Sequence, residues 1–295
     1  MDAHLANLRD CVRRALAEDL GTESLAVESD VTSRLSVPAG RRGRARLLAK
    51  SAGVVAGLAC AVETFRALDA NAACVLKLGD GQRFERGDLV LEVESDMRAL
   101  LAAERTALNF VQRLSGVATL TRAYVDAVAG TKARILDTRK TTPGLRLLEK
   151  AAVLAGGGQN HRIGLYDQVL LKENHFGFAR PATYEETVRR CVREQSAAVV
   201  AEARDTSEAV AAVRGGAAVV LLDNFQPGQQ LREAVAAVQA AASAAGRVVA
   251  TEASGGVNLG TVRAFAESGV DRISVGALTH SAPAVDLSLL VEGVG

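Results

Sequence analysis

From about Ala133 onward the chain alternates short, β-branched apolar runs with stretches of helical periodicity. Residues 133–136, 168–171, 198–201, 218–222, 247–251 and 272–275 read as strands, and 184–194, 207–214, 229–244 and 259–267 as helices. Strands joined by helical crossovers imply a parallel sheet buried on both faces. A doubly wound sheet and a β/α barrel both fit that pattern. The residues that follow the strands favour the barrel. They are Asp137, Lys172, Glu202, Asp223, Glu252 with Ser254, and Gly276. A barrel gathers all such positions on one rim, whereas an open doubly wound sheet gathers only those near its switch point. Six clear strands make the barrel incomplete, or leave a seventh disguised.

The first third has a different pattern. Residues 5–20 suit an amphipathic helix, 44–50 and 54–56 suit strands, and 57–68 suits a helix. Residues 74–94 carry two Gly-Asp turns between apolar runs, as in antiparallel pairing. Residues 97–114 then form a helical stretch leading into the barrel. With no Pro/Ser-rich linker between the halves, the boundary is expected near residue 110.

Composition narrows the function. Of 295 residues 48% are apolar and 23% charged, which is globular, and net charge is only +1. Aromatic residues are 3% and Trp is absent, so recognition by base stacking is disfavoured, as is a nucleic-acid partner. Cys11, Cys60, Cys74 and Cys191 form no CxxC pair and read as reduced thiols. No run reaches membrane-spanning length and the N-terminus lacks signal-peptide order, so a soluble cytoplasmic protein is expected.

Against that near-neutral background, one segment concentrates cations. Arg139, Lys140, His161, Arg162, Lys172 and His175 surround a Gly156-Gly157-Gly158 turn. Arg forks match carboxylates and Lys supplies a point charge for phosphate, so a small polyanion is the expected ligand. The glycines either let backbone N–H groups approach that anion or simply stop a helix. Lys172 reads equally as a Schiff-base nucleophile or a phosphate cation. Glu202 and Asp223 read as holders of Mg²⁺ on a polyphosphate or as ion-pair partners of the lysines. Ser254-Gly255-Gly256 and Val275-Gly276-Ala277 follow the last two strands, where barrels commonly hold a monophosphate. His280 beside that turn reads as structural, and His4 as incidental. A phosphorylated sugar and a carboxylated small molecule together fit this set. Transfer at an anomeric carbon needs positioning and charge neutralisation, and no protein nucleophile.

Several segments resemble quinolinate phosphoribosyltransferase, the decarboxylating nicotinate-nucleotide pyrophosphorylase family. They are Ala103-Glu104-Arg105-Thr106-Ala107-Leu108-Asn109, Asp137-Thr138-Arg139-Lys140-Thr141-Thr142-Pro143-Gly144, Asn160-His161-Arg162 and Leu171-Lys172-Glu173-Asn174-His175. Leu221-Leu222-Asp223-Asn224-Phe225, Glu252-Ala253-Ser254-Gly255-Gly256-Val257 and Val275-Gly276-Ala277-Leu278-Thr279-His280-Ser281 continue the series in order. The resemblance implies an α/β fold: an open sandwich domain over 1–110, rejoined by a tail over 278–295, and an incomplete parallel β/α barrel over 111–277. It also implies a homodimer in which Arg105 reaches the neighbouring subunit's site. The implied reaction converts quinolinate and phosphoribosyl pyrophosphate, with Mg²⁺, to nicotinate mononucleotide, pyrophosphate and CO₂.

By the same resemblance, Arg105, Arg139, His161, Arg162 and Lys172 hold the carboxylates, with Thr138 among the substrate contacts. Lys140, Lys172, Glu202 and Asp223 handle the ribosyl diphosphate and metal and carry the catalysis. Ser254, Gly255, Gly256, Val275, Gly276 and Ala277 hold the 5′-phosphate. Val200 and Arg204 stand where the family often has acids flanking Glu202, and Ala151 stands where Tyr is common. A relative associated with molybdenum-transport operons, a barrel aldolase and an anion-sensing module are the competing readings.

Overall fold

The computed structural model describes residues 3–293. They fall into two compact units, one containing the chain up to Arg122 with 141–157 and the tail from Ser281, the other containing 123–140 and 158–280. The sequence placed a boundary near residue 110, where the helix is unbroken and continues to Ala127.

The first unit opens with α1 (Ala3–Leu20) and the short α2 (Val31–Ser36), whose first turn is capped by the Asp30 carboxylate. It continues through β1 (Arg42–Ala49), β2 (Gly53–Val54), α3 (Leu58–Leu68), β3 (Ala73–Leu76), β4 (Arg83–Phe84), β5 (Leu89–Asp96) and α4 (Met97–Ala127). An antiparallel sheet runs β12 (Leu287–Gly293), β1, β5, β3, so the C-terminal strand returns to pair with the first. Alternation puts Ala45, Leu47, Ala49, Val93 and Leu91 on one face, where Leu100, Ala103, Ala107 and Val111 of α4 pack against them. Gly116 of α4 is a close-approach position. A Cβ there would lie 2.1 Å from the Pro283 carbonyl oxygen, so only glycine lets the tail pass.

Between the two stretches of the second unit lies α5 (Arg146–Ala155), which was not among the helical stretches read from periodicity. Its interior holds a fully buried Glu149. One oxygen of that carboxylate accepts from Arg113 Nε (3.2 Å), Arg113 Nη2 (2.8 Å) and Thr142 Oγ1 (2.7 Å), and the other from the Thr142 N–H (3.0 Å). Gly156 caps the helix and sits so close to α4 that a Cβ would fall 2.5 Å from Thr121 Cβ and 2.6 Å from the Ala118 carbonyl oxygen. Of the two readings of the triple glycine, the helix stop holds for Gly156.

The second unit is built on β6 (Arg134–Leu136), β7 (Val169–Leu171), β8 (Val199–Ala203), β9 (Val219–Asp223), β10 (Ala250–Ser254) and β11 (Arg272–Ser274). These strands form one parallel sheet in the order β6-β11-β10-β9-β8-β7. From β7 to β11 the order climbs by one at each step, and β6 then lies beside β11. That is the circular order of a barrel opened between β6 and β7; a doubly wound sheet would reverse direction part-way. Gln159 makes an isolated parallel bridge to Leu136, a one-residue vestige of a strand on the open side of β6.

Helices α6 (Glu173–Phe178), α7 (Tyr184–Glu194), α8 (Thr206–Gly215), α9 (Gln229–Ala244), α10 (Val262–Glu267) and α11 (Ala277–His280) complete the unit. A capping box between Thr183 and Glu186 starts α7, the Asp205 carboxylate starts α8, and Gly216 in the left-handed region (φ +100°) ends it. At the opposite end from the strand termini, the Asp271 carboxylate accepts the N–H (2.8 Å) and hydroxyl (2.9 Å) of Thr251. That latch sets where β10 begins, three residues later than the run 247–251 read from the sequence.

Candidate active site

The carboxyl ends of the six strands surround a cavity of about 760 Å³. Thr138, Arg139, Lys140, His161, Arg162, Lys172, Glu202, Asp223, Ser254, Gly255, Gly256, Val275, Gly276 and Ala277 all line it, so fourteen of the fifteen site residues read from the sequence converge. The fifteenth, Arg105, lies exposed on α4 of the first unit and is not in this lining.

Topology sorts the lining by charge. Arg139, Lys140, His161, Arg162 and Lys172 lie on the segments after β6 and β7, the strands that border the opening. Glu202 and Asp223 belong to β8 and β9, and the glycine turns follow β10 and β11. Asp137, completely buried just beyond β6, accepts the His161 N–H (2.8 Å) and so ties the His161-Arg162 segment to the strand. Arg162 donates from Nη1 to the Gln168 carbonyl (3.2 Å), but its Nε and that of Arg139 are buried without partners. Burial, and then the neighbouring Arg139, hold the Arg162 guanidinium below its ordinary pKa, while Asp167 opposes them. Two half-buried guanidiniums with unmet donors that repel each other form a pair that an anion would stabilise.

On the other side, Glu202 accepts the Glu173 N–H (3.1 Å) and lies 4.0 Å from Lys172 Nζ. Asp223 accepts from the Asn224 amide (2.7 Å). Burial pushes the Asp223 carboxyl above its ordinary pKa, against the pull of Lys172 and Lys140 and with a further push from Glu173. Asn224 has a positive φ of 60°, and its N–H donates to Ser254 (2.9 Å), so β9 and β10 end in a joined turn. A Cβ on Gly255 (φ +94°) would come within 2.2 Å of Asn224 Oδ1, which explains glycine there. Beyond β11, a Cβ on Gly276 would meet Lys140 Cδ at 2.9 Å and His280 Nε2 at 3.2 Å, so His280 lies against the glycine turn.

Arg204 takes no place in the lining. It forms ion pairs with Glu208 (2.7 Å) and Glu173 (2.7 Å).

A family model for the quinolinate phosphoribosyl transferase N-terminal domain matches residues 30–115, and one for the C-terminal domain matches 117–290. The chain belongs to the quinolinate phosphoribosyltransferase family. It is 40% identical over 298 residues to a nicotinate-nucleotide pyrophosphorylase [carboxylating] of Mycobacterium leprae, covering 98% of both chains. It is 38% identical over 287 residues to a probable enzyme of the same description from Bacillus subtilis, covering 96% of this chain and 92% of the relative. The solved nicotinate-nucleotide pyrophosphorylase of Francisella tularensis superposes with a TM-score of 0.87 at 35% identity, over 98% of this chain and 97% of that one.

Beyond the fifteen assigned site residues, the cavity also includes Glu173, Asn174, Asn224, Glu252, Ser274 and His280. Glu252 is the most telling of these. It sits in the middle of a buried strand and is completely inaccessible.

Proposed function

We propose that this cavity transfers the phosphoribosyl group of phosphoribosyl pyrophosphate to quinolinate and decarboxylates the adduct, giving nicotinate mononucleotide, pyrophosphate and CO₂ for NAD biosynthesis. The observation that carries this reading is the separation of charge on one rim, with unmet guanidinium donors beside the opening and carboxylates with glycine turns across from them. Arg139 and Arg162, with His161 and Lys172, bind the dicarboxylate, and Thr138 lies beside them. Lys140 and Lys172 neutralise the departing diphosphate. Ser254, Gly255 and Gly256 with Val275, Gly276 and Ala277 seat the 5′-phosphate on backbone N–H groups. Bond breaking at the anomeric carbon leaves oxocarbenium character, which Glu202 and Asp223 offset by position and charge.

Among the described residues, no cluster of three or more His, Cys, Asp and Glu side chains could cage a metal alone. Two rim carboxylates facing a diphosphate suit Mg²⁺, which usually completes its shell with substrate oxygens and water. Glu202 and Asp223 would hold it, and it would supply charge neutralisation of the leaving group. In the same reading Arg105 reaches the site of a neighbouring subunit in a homodimer, 1–110 with the 278–295 tail form the sandwich domain, 111–277 form the catalytic barrel, and the enzyme is cytoplasmic. No helix among the described residues is long and apolar enough to cross a membrane.

The test is release of pyrophosphate and CO₂ from quinolinate, phosphoribosyl pyrophosphate and Mg²⁺, with nicotinate as a parallel acceptor. Equal release with quinolinate alone is expected, and release of neither product would overturn the reading.

Asp223 gives a pH dependence. The ionised form is needed at a metal, so the acid limb of Mg²⁺-dependent turnover should fall at a pH above the ordinary carboxyl value of 3.8. Lys140→Ala, which removes a charge that lowers that pKa, should move the limb higher still. A limb that does not respond to Lys140 would dissociate Asp223 from it. For stability the sign is the reverse of that of a paired carboxylate. The folded state favours protonated Asp223, so its contribution is full below 3.8 and is lost as pH rises through the raised value.

A further inference from the structure

Glu252 has a bonding pattern that the transfer step does not use. Its Oε1 faces two donors. The Ser274 hydroxyl bonds to it, and His161 Nε2 lies 3.4 Å away. The His161 ring is oriented from behind, because its Nδ1 accepts the Arg162 N–H (2.8 Å), which puts the ring proton on Nε2 facing Glu252. Oε2 is buried with no partner, on a side chain that is completely inaccessible yet lines the cavity. With two donors converging on Oε1, a proton carried by this carboxyl has one place to sit, on Oε2.

The substrates of the proposed reaction leave a matching requirement. When CO₂ departs from the pyridinium nucleotide, the C2–carboxylate bond breaks and its electron pair stays on C2. That carbon must then gain one proton, or CO₂ recombines with it. The dicarboxylate supplies none, and the Arg and Lys side chains that bind it hold their protons in charged hydrogen bonds. We propose that Glu252 is a catalytic residue of the decarboxylation, delivering the Oε2 proton to C2. The carboxylate left behind is held by Ser274 and His161 and regains its proton from water after the product leaves. His161, besides its place beside the dicarboxylate, then positions Glu252 through Nε2.

This inference rests on the proposed reaction, and the test separates the two. In wild-type enzyme pyrophosphate and CO₂ should appear in equal amounts, and absence of both would count against the reaction itself. Glu252→Gln keeps the volume and an acceptor for Ser274 and His161 but replaces the acid with an amide. In single-turnover mixtures quenched with base, its ratio of CO₂ to pyrophosphate should fall by about tenfold or more, the low end of the range for a general acid. The dicarboxylate nucleotide should accumulate in proportion. Glu252→Asp restores the acid one methylene short and should give an intermediate ratio, which keeps the test decisive if the glutamine variant does not fold. A ratio of one in whichever variant folds, whatever its overall rate, would overturn the proposal, because a purely structural role slows both products together.

Discussion

Arg162→Ala is expected to raise KM for quinolinate by about 10²- to 4 × 10³-fold while changing folding stability by only about 1 kcal/mol. The first figure follows from removing one side of a desolvated guanidinium–carboxylate pair, which costs about 3–5 kcal/mol, at a factor of ten per 1.4 kcal/mol. The second follows from the free enzyme, where Arg162 makes one hydrogen bond to the Gln168 carbonyl but leaves Nε unmet and faces the like charge of Arg139. The loss of one modest bond is offset by relief of repulsion. Arg139→Ala should behave alike, and the double variant should lose less than the sum, because each single change also relieves the other guanidinium. Steady-state kinetics varying quinolinate at saturating phosphoribosyl pyrophosphate, with a thermal melt on the same samples, checks both parts. A fall in kcat at unchanged KM would place the pair away from the dicarboxylate. A stability loss of several kcal/mol would mean that the cluster is structural.

The barrel was legible because its chemistry sits at strand ends. Asp137, Lys172, Glu202, Asp223 and Ser254 each interrupt an apolar run, and a shared rim is the arrangement that brings all such interruptions together. Four features were hidden for physical reasons. The strand vestige at Gln159 is a single bridge, too short for any periodicity. The fifth strand of the barrel was placed over 247–251, three residues early, although Val248 is 97% exposed. The actual strand, Ala250–Ser254, alternates Thr251 and Ala253 with Glu252 and Ser254, which line the cavity, so its pattern reflects the site more than a core. Glu252 itself read as a strand terminus, because its burial depends on Ser274 and His161, distant in sequence. Helix Arg146–Ala155 was not read from periodicity since Glu149 and Lys150 fall on its buried face, contrary to the usual amphipathic signal.

Glu149 leads to the largest stability effect expected in this chain. Arg113→Ala should cost about 3–5 kcal/mol of unfolding free energy, because it leaves a fully buried carboxylate without its cation. Thr142 cannot compensate, since its N–H and hydroxyl already donate to that carboxylate. Arg113→Ala with Glu149→Gln should regain a substantial part of the loss, as the amide keeps an acceptor for Thr142 without a buried charge. The cycle of two single variants and the double, read as urea midpoints at neutral pH, gives the coupling directly. Independent, additive losses would show that the two side chains act separately and that the anchoring of α5 to α4 lies in the close approach of Gly156 to Thr121 and Ala118.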